Sequence, residues 1–148
     1  MSVEADEIAH GGLRGAIGAM AMSGFRAFTV ELGLVKQTPP EAIVKQRARG
    51  ILRMVPRKRR RAAIEAVHVG YGAFGGATFG LLPDRVRLTA WSGPAYGLVL
   101  WLGFELGIAP VLGLSQSKRP RPVERAALAA DHVLYGLLLS ETRRRPQD

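Results

Sequence analysis

The stretch "RAAIEAVHVGYG" at residues 61–72 returns as "RAALAADHVLYG" at residues 125–136, with eight of twelve positions identical. A second matching pair precedes these two, "VELGL" at 30–34 and "FELGI" at 104–108. Segments repeated in the same order indicate that one supersecondary unit occurs twice. That unit is a helix with Glu-Leu-Gly, a basic loop, and a helix with His-Val-x-Tyr-Gly. The repeat therefore predicts an all-α fold made of two helical hairpins.

Four apolar segments carry these motifs, at about residues 15–34, 62–83, 90–114 and 126–142. Each is about 17–25 residues long, which is enough for a helix to cross a hydrocarbon core of ~30 Å. Apolar residues occupy all sides of the segments, and glycine, which costs ~1 kcal/mol in a water-soluble helix, is dense within them. We expect a four-helix transmembrane bundle, with residues 1–148 forming a single membrane domain. The whole-chain mean hydropathy of +0.07 keeps a soluble four-helix bundle as an alternative.

The two copies span about 11–83 and 88–142. An even number of membrane crossings separates them, so the hairpins are predicted to be parallel repeats related by an axis along the membrane normal.

Charge placement predicts the orientation of the bundle. Of the 21 Lys and Arg residues, 14 lie in the loops 35–61 and 115–125, and six lie on the opposite side. The positive-inside rule assigns both basic loops to the cytoplasm. The net charge of +9 also suits a nucleic-acid partner. The basic residues are bunched between apolar segments, however, and only 7% of residues are aromatic, so anionic lipid head groups are the expected partner. A soluble basic bundle that binds nucleic acid is kept as an alternative.

The long basic loop 36–61 contains its own helix signal. Thr38 is a candidate N-cap, two prolines follow it, and Glu41 occupies the capping-box position. An apolar stripe then separates from the Lys and Arg positions, which predicts an interfacial helix on an anionic leaflet. The alternative is a loop whose basic residues serve only to set the topology.

Four ionisable residues recur in both repeats within the apolar segments: Glu31, His68, Glu105 and His132. At 1.5 Å per residue they lie ~8–15 Å inside the cytoplasmic boundary, so we expect one buried polar layer. Tyr71 and Tyr135 follow the histidines by three residues on the same helix face. Arg26 lies near mid-segment, where Glu105 or Asp131 is a candidate counter-ion. The glycines expected in helix–helix contacts are Gly72, Gly76, Gly80 and Gly136.

Three roles suit such a layer: structural pairing, passage of protons or small solutes, or ligation of haem or a metal by the two histidines. No Glu-x-x-His pair of the kind found in di-iron bundles occurs, and we predict no cofactor and no metal site. There is no phosphate-binding loop, nucleophile elbow or metalloprotease helix, so we expect no enzymatic activity. A non-catalytic partner subunit of a membrane complex, or a homo-oligomer, is the alternative from the class of interaction proteins.

The order of His68, Tyr71 and the glycines, then "LGIAPVLGLS" at 106–115, then "DHVLYG" at 131–136 with terminal arginines, resembles the YagU-like family of small bacterial inner-membrane proteins. The likeness covers roughly residues 65–145. The family has no established biochemical activity. The resemblance implies a multi-pass protein of a bacterial inner membrane, and it implies no mechanism.

Overall fold

The structure is a computed structural model that describes residues 3–35, 43, 46, 48–114 and 121–140. The helices are α1 (Val3–Glu31), α2 (Arg49–Met54), α3 (Arg60–Gly80), α4 (Asp84–Arg87), α5 (Ser92–Leu102), α6 (Ala109–Val111) and α7 (Pro122–Leu139). A 3-10 turn at Arg57–Arg59 precedes α3, and a π-helix at Gly103–Ile108 joins α5 to α6. The described residues contain no strand, and the prediction of an all-helical bundle is confirmed for them.

Helices α1 and α3 pack antiparallel with their backbones in direct contact. A Cβ added to Gly76 would lie 2.7 Å from the Gly15 Cα and would also meet the Gly11 carbonyl oxygen. A Cβ on Gly72 would lie 2.5 Å from the Ala19 Cβ, and one on Gly80 would lie 2.6 Å from the Glu7 carbonyl oxygen. Only glycine permits so close an approach, because any larger residue would overlap the facing backbone.

The second hairpin repeats this mode of contact. A Cβ on Gly136 of α7 would lie 2.8 Å from the Pro94 nitrogen and would meet the Gly93 carbonyl oxygen of α5. Gly97 meets the backbone of His132 in the same way. The order of these pairs makes α5 and α7 antiparallel.

Tyr135 joins the two hairpins. Its ring fills the space left by Gly18 on α1 and Gly75 on α3, and its hydroxyl donates a 2.6 Å hydrogen bond to the Gly72 carbonyl oxygen. The small buried core around it contains Met22, Phe79 and Leu139. On the other side Tyr96 of α5 contacts α3 through the Phe79 ring and the Gly75 carbonyl oxygen.

The helix from Ser92 to Val111 is continuous over 20 residues and contains the π-helix. Pro110 accounts for the irregular turn, because proline has no N–H to donate to the residue four positions earlier and its ring crowds that carbonyl group. Among the described residues, this is the one helix that is long and apolar enough to cross a membrane. The structure thus supports one candidate span, where the sequence predicts four.

Helices α1 and α6 end in the same manner. Gly33 and Gly113 have φ values of 69° and 58°, in the left-handed region. The amide of Leu34 donates to the Thr29 carbonyl oxygen, and that of Leu114 donates to the Ala109 carbonyl oxygen. These are Schellman C-caps, in which a left-handed glycine lets the chain satisfy the last carbonyl groups of the helix.

Side-chain contacts tie the two ends of the bundle. At one end Arg87 donates to the Glu7 and Asp84 carboxylates at 2.7 and 2.6 Å. At the other end Arg121 donates to the carbonyl oxygens of Gly33 and Leu34. The described parts of the predicted interfacial helix are Ile43, Gln46 and helix α2, and Ala48 before α2 is not helical. The candidate cap Thr38, the capping-box residue Glu41 and most of the first half of that stretch lie outside the described residues.

Candidate functional site

A buried ion pair between the first and last long helices forms the centre of the site. The Nε of Arg26 on α1 donates a 2.7 Å hydrogen bond to the Oδ2 of Asp131 on α7. Arg26 is 6% exposed and Asp131 is 1% exposed. Arginine and aspartate are almost never buried this far unless they are paired. The second carboxylate oxygen, Oδ1, is enclosed and has no hydrogen-bond partner among the described residues.

The same guanidinium group contacts a histidine of the third helix. The Nη2 of Arg26 lies 2.6 Å from the Nε2 of His68 on α3. Arginine has only donors, so His68 Nε2 must be the acceptor and the imidazole must be neutral. We therefore assign the imidazole proton to Nδ1.

The tautomer of His68 determines the direction of the remaining hydrogen bonds. His68 Nδ1 lies 3.2 Å from the Ser23 Oγ and donates to it. The Ser23 hydroxyl then donates to the Glu65 Oε2 at 2.6 Å. Glu65 is exposed at the surface of the bundle. We call the set Asp131, Arg26, His68, Ser23 and Glu65 the polar chain, since consecutive members are hydrogen-bonded from the core to the surface.

Helical spacing explains how three helices build the polar chain. Ser23 and Arg26 are three residues apart on α1, and Glu65 and His68 are three apart on α3, so each pair shares one helix face. Tyr135 lies four residues after Asp131 on the same face of α7, and its ring packs into the space beside Gly18 and Gly75. This contact holds Asp131 within reach of Arg26.

The structure does not bring the four repeated residues into one layer. Glu31, the last residue of α1, is exposed. Glu105 accepts from the Arg125 Nε at 3.0 Å. His132 directs its Nδ1 to the Leu128 carbonyl oxygen of its own helix at 2.8 Å. Among the described residues, no hydrogen bond or ion pair joins Glu31 or Glu105 to a histidine.

This correction has a physical reason. Glu31 lies at a helix end, where water solvates its charge, and Glu105 lies within reach of an arginine at the start of α7.

Of the predicted supporting residues, Arg26 and Asp131 form an ion pair with each other. Asp131 was one of the two counter-ions predicted for Arg26. Tyr135 is buried, but it bonds to a backbone carbonyl and not to a histidine. Tyr71 is 55% exposed.

The sequence analysis missed Ser23 and Glu65 as members of the site. The available signal was their three-residue spacing from Arg26 and His68, which places each on the face of an ionisable partner. Repetition does not point to them, because neither one recurs in the second hairpin. Across residues 3–35, 43, 46, 48–114 and 121–140, no group of three or more His, Asp or Glu side chains could hold a metal ion.

Comparison of the chain with family models, with curated proteins and with solved structures finds no match. The resemblance to the YagU-like family therefore stays a prediction.

Proposed function

We propose that this chain is a non-enzymatic, multi-pass protein of a bacterial inner membrane whose polar chain passes protons. In this proposal α1, α3, the continuous helix from α5 to α6, and α7 cross the bilayer as two parallel-repeat hairpins. The loops 35–61 and 115–125 face the cytoplasm, where their arginines and lysines meet anionic head groups.

The outer surface of the bundle supports a membrane location. Only 17% of the apolar stretch of the helix Ser92–Val111 is buried within the protein, whereas the core helix of a soluble protein would be mostly buried. The outward faces of α1 and α3 carry large apolar side chains in helical register. Those exposed on α1 are Leu13, Ile17, Met20, Phe28 and Val30, and those on α3 are Val67, Tyr71 and Phe74. Such a surface suits lipid better than water.

The glycine contacts support the repeat. Ala19 faces Gly72 in the first hairpin, and the corresponding Gly93 faces Gly136 in the second. Small residues at such positions are the usual contacts between membrane helices.

The observation that carries the proton-passing proposal is the unbroken polar chain. Ser23 and His68 each both donate and accept, so a proton can move along them by exchange of hydrogen bonds. Arginine does not release its proton, and Arg26 therefore blocks the inner end of the chain while it occupies the His68 Nε2.

The unpartnered Oδ1 of Asp131 offers Arg26 a second position. If a proton reaches His68 Nε2 from the inner side of the bundle, Nδ1 can pass its own proton to the Ser23 Oγ while the Ser23 hydroxyl passes its proton to the Glu65 carboxylate. While His68 holds both ring protons, the imidazolium can no longer accept from Arg26, and the two cations repel. Nη2 of Arg26 can then turn to Oδ1 and complete a two-point contact with the Asp131 carboxylate. The charged or titratable groups that act on His68 are Arg26 from α1, Glu65 from its own helix and His132 from α7. Arg26 is thus the gate of the proposed path.

Proton flux into vesicles tests the proposal. The protein is reconstituted in liposomes with an internal pH-sensitive dye, and a potential is applied. We expect wild-type flux above that of protein-free vesicles, and His68→Gln and Ser23→Ala should return it to that background. His10→Gln is the matched control, because His10 is exposed and bonds only to the Asp6 carbonyl oxygen of its own helix.

Two results would contradict the proposal. If the flux of the wild-type protein equals that of protein-free vesicles, the polar chain has a structural role only. Equal flux in wild type, His68→Gln and Ser23→Ala would show that protons pass by another route.

A further inference from the structure

A groove at the start of α7 lies outside the polar chain. It has a volume of about 450 Å³ and is lined by Trp101, Pro122, Arg125, Ala126 and Ala129. Its walls are apolar except for one guanidinium group and one indole ring. The size falls within the range of ~300–1,000 Å³ that is typical of ligand sites.

Two polar groups line the groove, the indole N–H of Trp101 and the guanidinium group of Arg125. The indole nitrogen of Trp101 is enclosed and has no hydrogen-bond partner among the described residues. A buried N–H without an acceptor destabilises the protein, so a turn of the indole ring toward an acceptor oxygen in the groove would be favoured. Arg125, whose side chain is 45% exposed, is the cation of the groove.

Glu105 holds Arg125 in a suitable orientation. Its carboxylate, on a side chain only 11% exposed, accepts from the Nε of Arg125 at 3.0 Å. That contact occupies the Nε of Arg125, and the terminal nitrogens have no hydrogen-bond partner in the part of the chain that the structure describes. A guanidinium group positioned in this way matches the oxygens of a phosphate. The π-helix that contains Glu105 adds to the case, since π-helical turns are frequent at functional sites.

We propose that this groove binds the phosphate of an anionic glycerophospholipid, with Arg125 and the Trp101 indole N–H as the donors. One acyl chain would lie along Ala126, Ala129 and the Trp101 ring. This inference rests on the proposed membrane location. A lipid is the occupant that suits both parts of the groove. Its phosphate oxygens can accept hydrogen bonds from the two donors, and its acyl chain can pack on the apolar side chains.

Quenching of Trp101 fluorescence tests this site directly. The chain has two tryptophans, and Trp91→Phe leaves Trp101 as the reporter. The variant is reconstituted in phosphatidylcholine vesicles that contain increasing amounts of brominated phosphatidylglycerol or, separately, brominated phosphatidylcholine. We expect half-maximal quenching at about one-fifth of the mole fraction for the anionic lipid, as one favourable basic contact would give.

Arg125→Gln in the Trp91→Phe background should remove this preference. Arg85→Gln is the matched control, because Arg85 is exposed at the other end of the bundle and its loss changes the net charge equally. Free inorganic phosphate should not reverse the quenching. Reversal would mean that the groove takes the free ion, and it would overturn the lipid assignment.

The remaining outcomes separate this inference from the proposed function. Equal quenching by the two brominated lipids would place Trp101 in the bilayer and overturn the lipid site alone. No quenching by either lipid would contradict the membrane location itself. Loss of the preference in Arg85→Gln as well would show that net charge, and not this groove, attracts the lipid.

Discussion

Arg26 and Asp131 illustrate how much depends on single residues. The two side chains come from helices far apart in sequence, and both are shielded from water. Desolvating two charges is unfavourable by several kcal/mol for each ion, and the attraction between them offsets this only while both are present. The pair is therefore a strong constraint on which face of α7 meets α1.

Removing either partner should leave an uncompensated buried charge. We expect Arg26→Gln and Asp131→Asn each to lower the free energy of unfolding in detergent by about 3–5 kcal/mol. The double variant should lose much less than the two losses added, because it buries no unpaired charge. Asp84→Asn is the comparison, since Asp84 pairs with Arg87 but is 68% exposed, and we expect a loss of about 0–1 kcal/mol. Strictly additive losses would mean that the pair does not act as a unit.

The sequence pointed to Arg26, His68 and Asp131 of the polar chain, but not to Ser23 and Glu65. Repetition pointed to Glu31, His68, Glu105 and His132, whereas the contacts centre on Arg26 and Asp131, which do not recur. The residue that corresponds to Asp131 in the first hairpin is Val67, which is 75% exposed. A repeat identifies equivalent positions in two hairpins, but the packing between hairpins depends on residues that differ between the copies.

At the scale of the helices, the bundle is organised by glycines in contact with backbone. Gly76 and Gly136 face the backbone of a neighbouring helix, while Gly24 and Gly70 have no atom within 4 Å of an added Cβ. Glycine therefore allows close helix contact at Gly76 and Gly136, whereas no neighbouring atom requires a glycine at Gly24 or Gly70.

Alanine substitution should separate these two groups of glycines. We expect Gly76→Ala and Gly136→Ala to lower the free energy of unfolding by ~1–3 kcal/mol, because backbone cannot move aside as a flexible side chain can. Gly24→Ala and Gly70→Ala should be neutral or stabilising by up to ~1 kcal/mol, through higher helix propensity. Thermal unfolding of the four variants in one detergent makes the comparison. Equal tolerance at all four positions would show that the close contacts do not hold the helices together.

The sequence predicted contacts at Gly72, Gly76 and Gly80, which lie four residues apart on one face of α3, and all three meet atoms of α1. The spacing could not predict the space that the Tyr135 ring occupies. That space lies between Gly18 of α1 and Gly75 of α3, and it forms only when the two helices pack together. Nor did the repeat indicate that Tyr71 would remain exposed.

For the molecule as a whole, the four long helices alternate in direction. The last residues of α1 and α6 and the first residues of α3 and α7 therefore lie at one end, and the turn after α3 lies at the other. In the proposed membrane, the excess of basic residues decides which end faces the cytoplasm. The protein has no cysteine, so single cysteines report on each end without a background signal.

We expect Lys58→Cys to resist a membrane-impermeant thiol reagent in intact cells and Arg85→Cys to react with it. Both positions are exposed in the folded protein, so access depends on the membrane and not on burial. Labelling after the cells are opened provides the control, because both cysteines should then react. The reverse pattern would invert the orientation, and equal labelling in intact cells would contradict a membrane barrier between the two ends.

The ion pair also bears on how the chain is made. Arg26 and Asp131 are 105 residues apart, so the first helix is synthesised long before its counter-ion. At ~5–20 residues per second, Arg26 waits about 5–20 s for Asp131 to emerge from the ribosome. In the proposed membrane, an isolated first helix would carry a lone charge into the bilayer during that interval. The proposed location therefore predicts that the first helix is held at the insertion machinery until the last one arrives, and that a chain ending before α7 becomes a substrate for quality control.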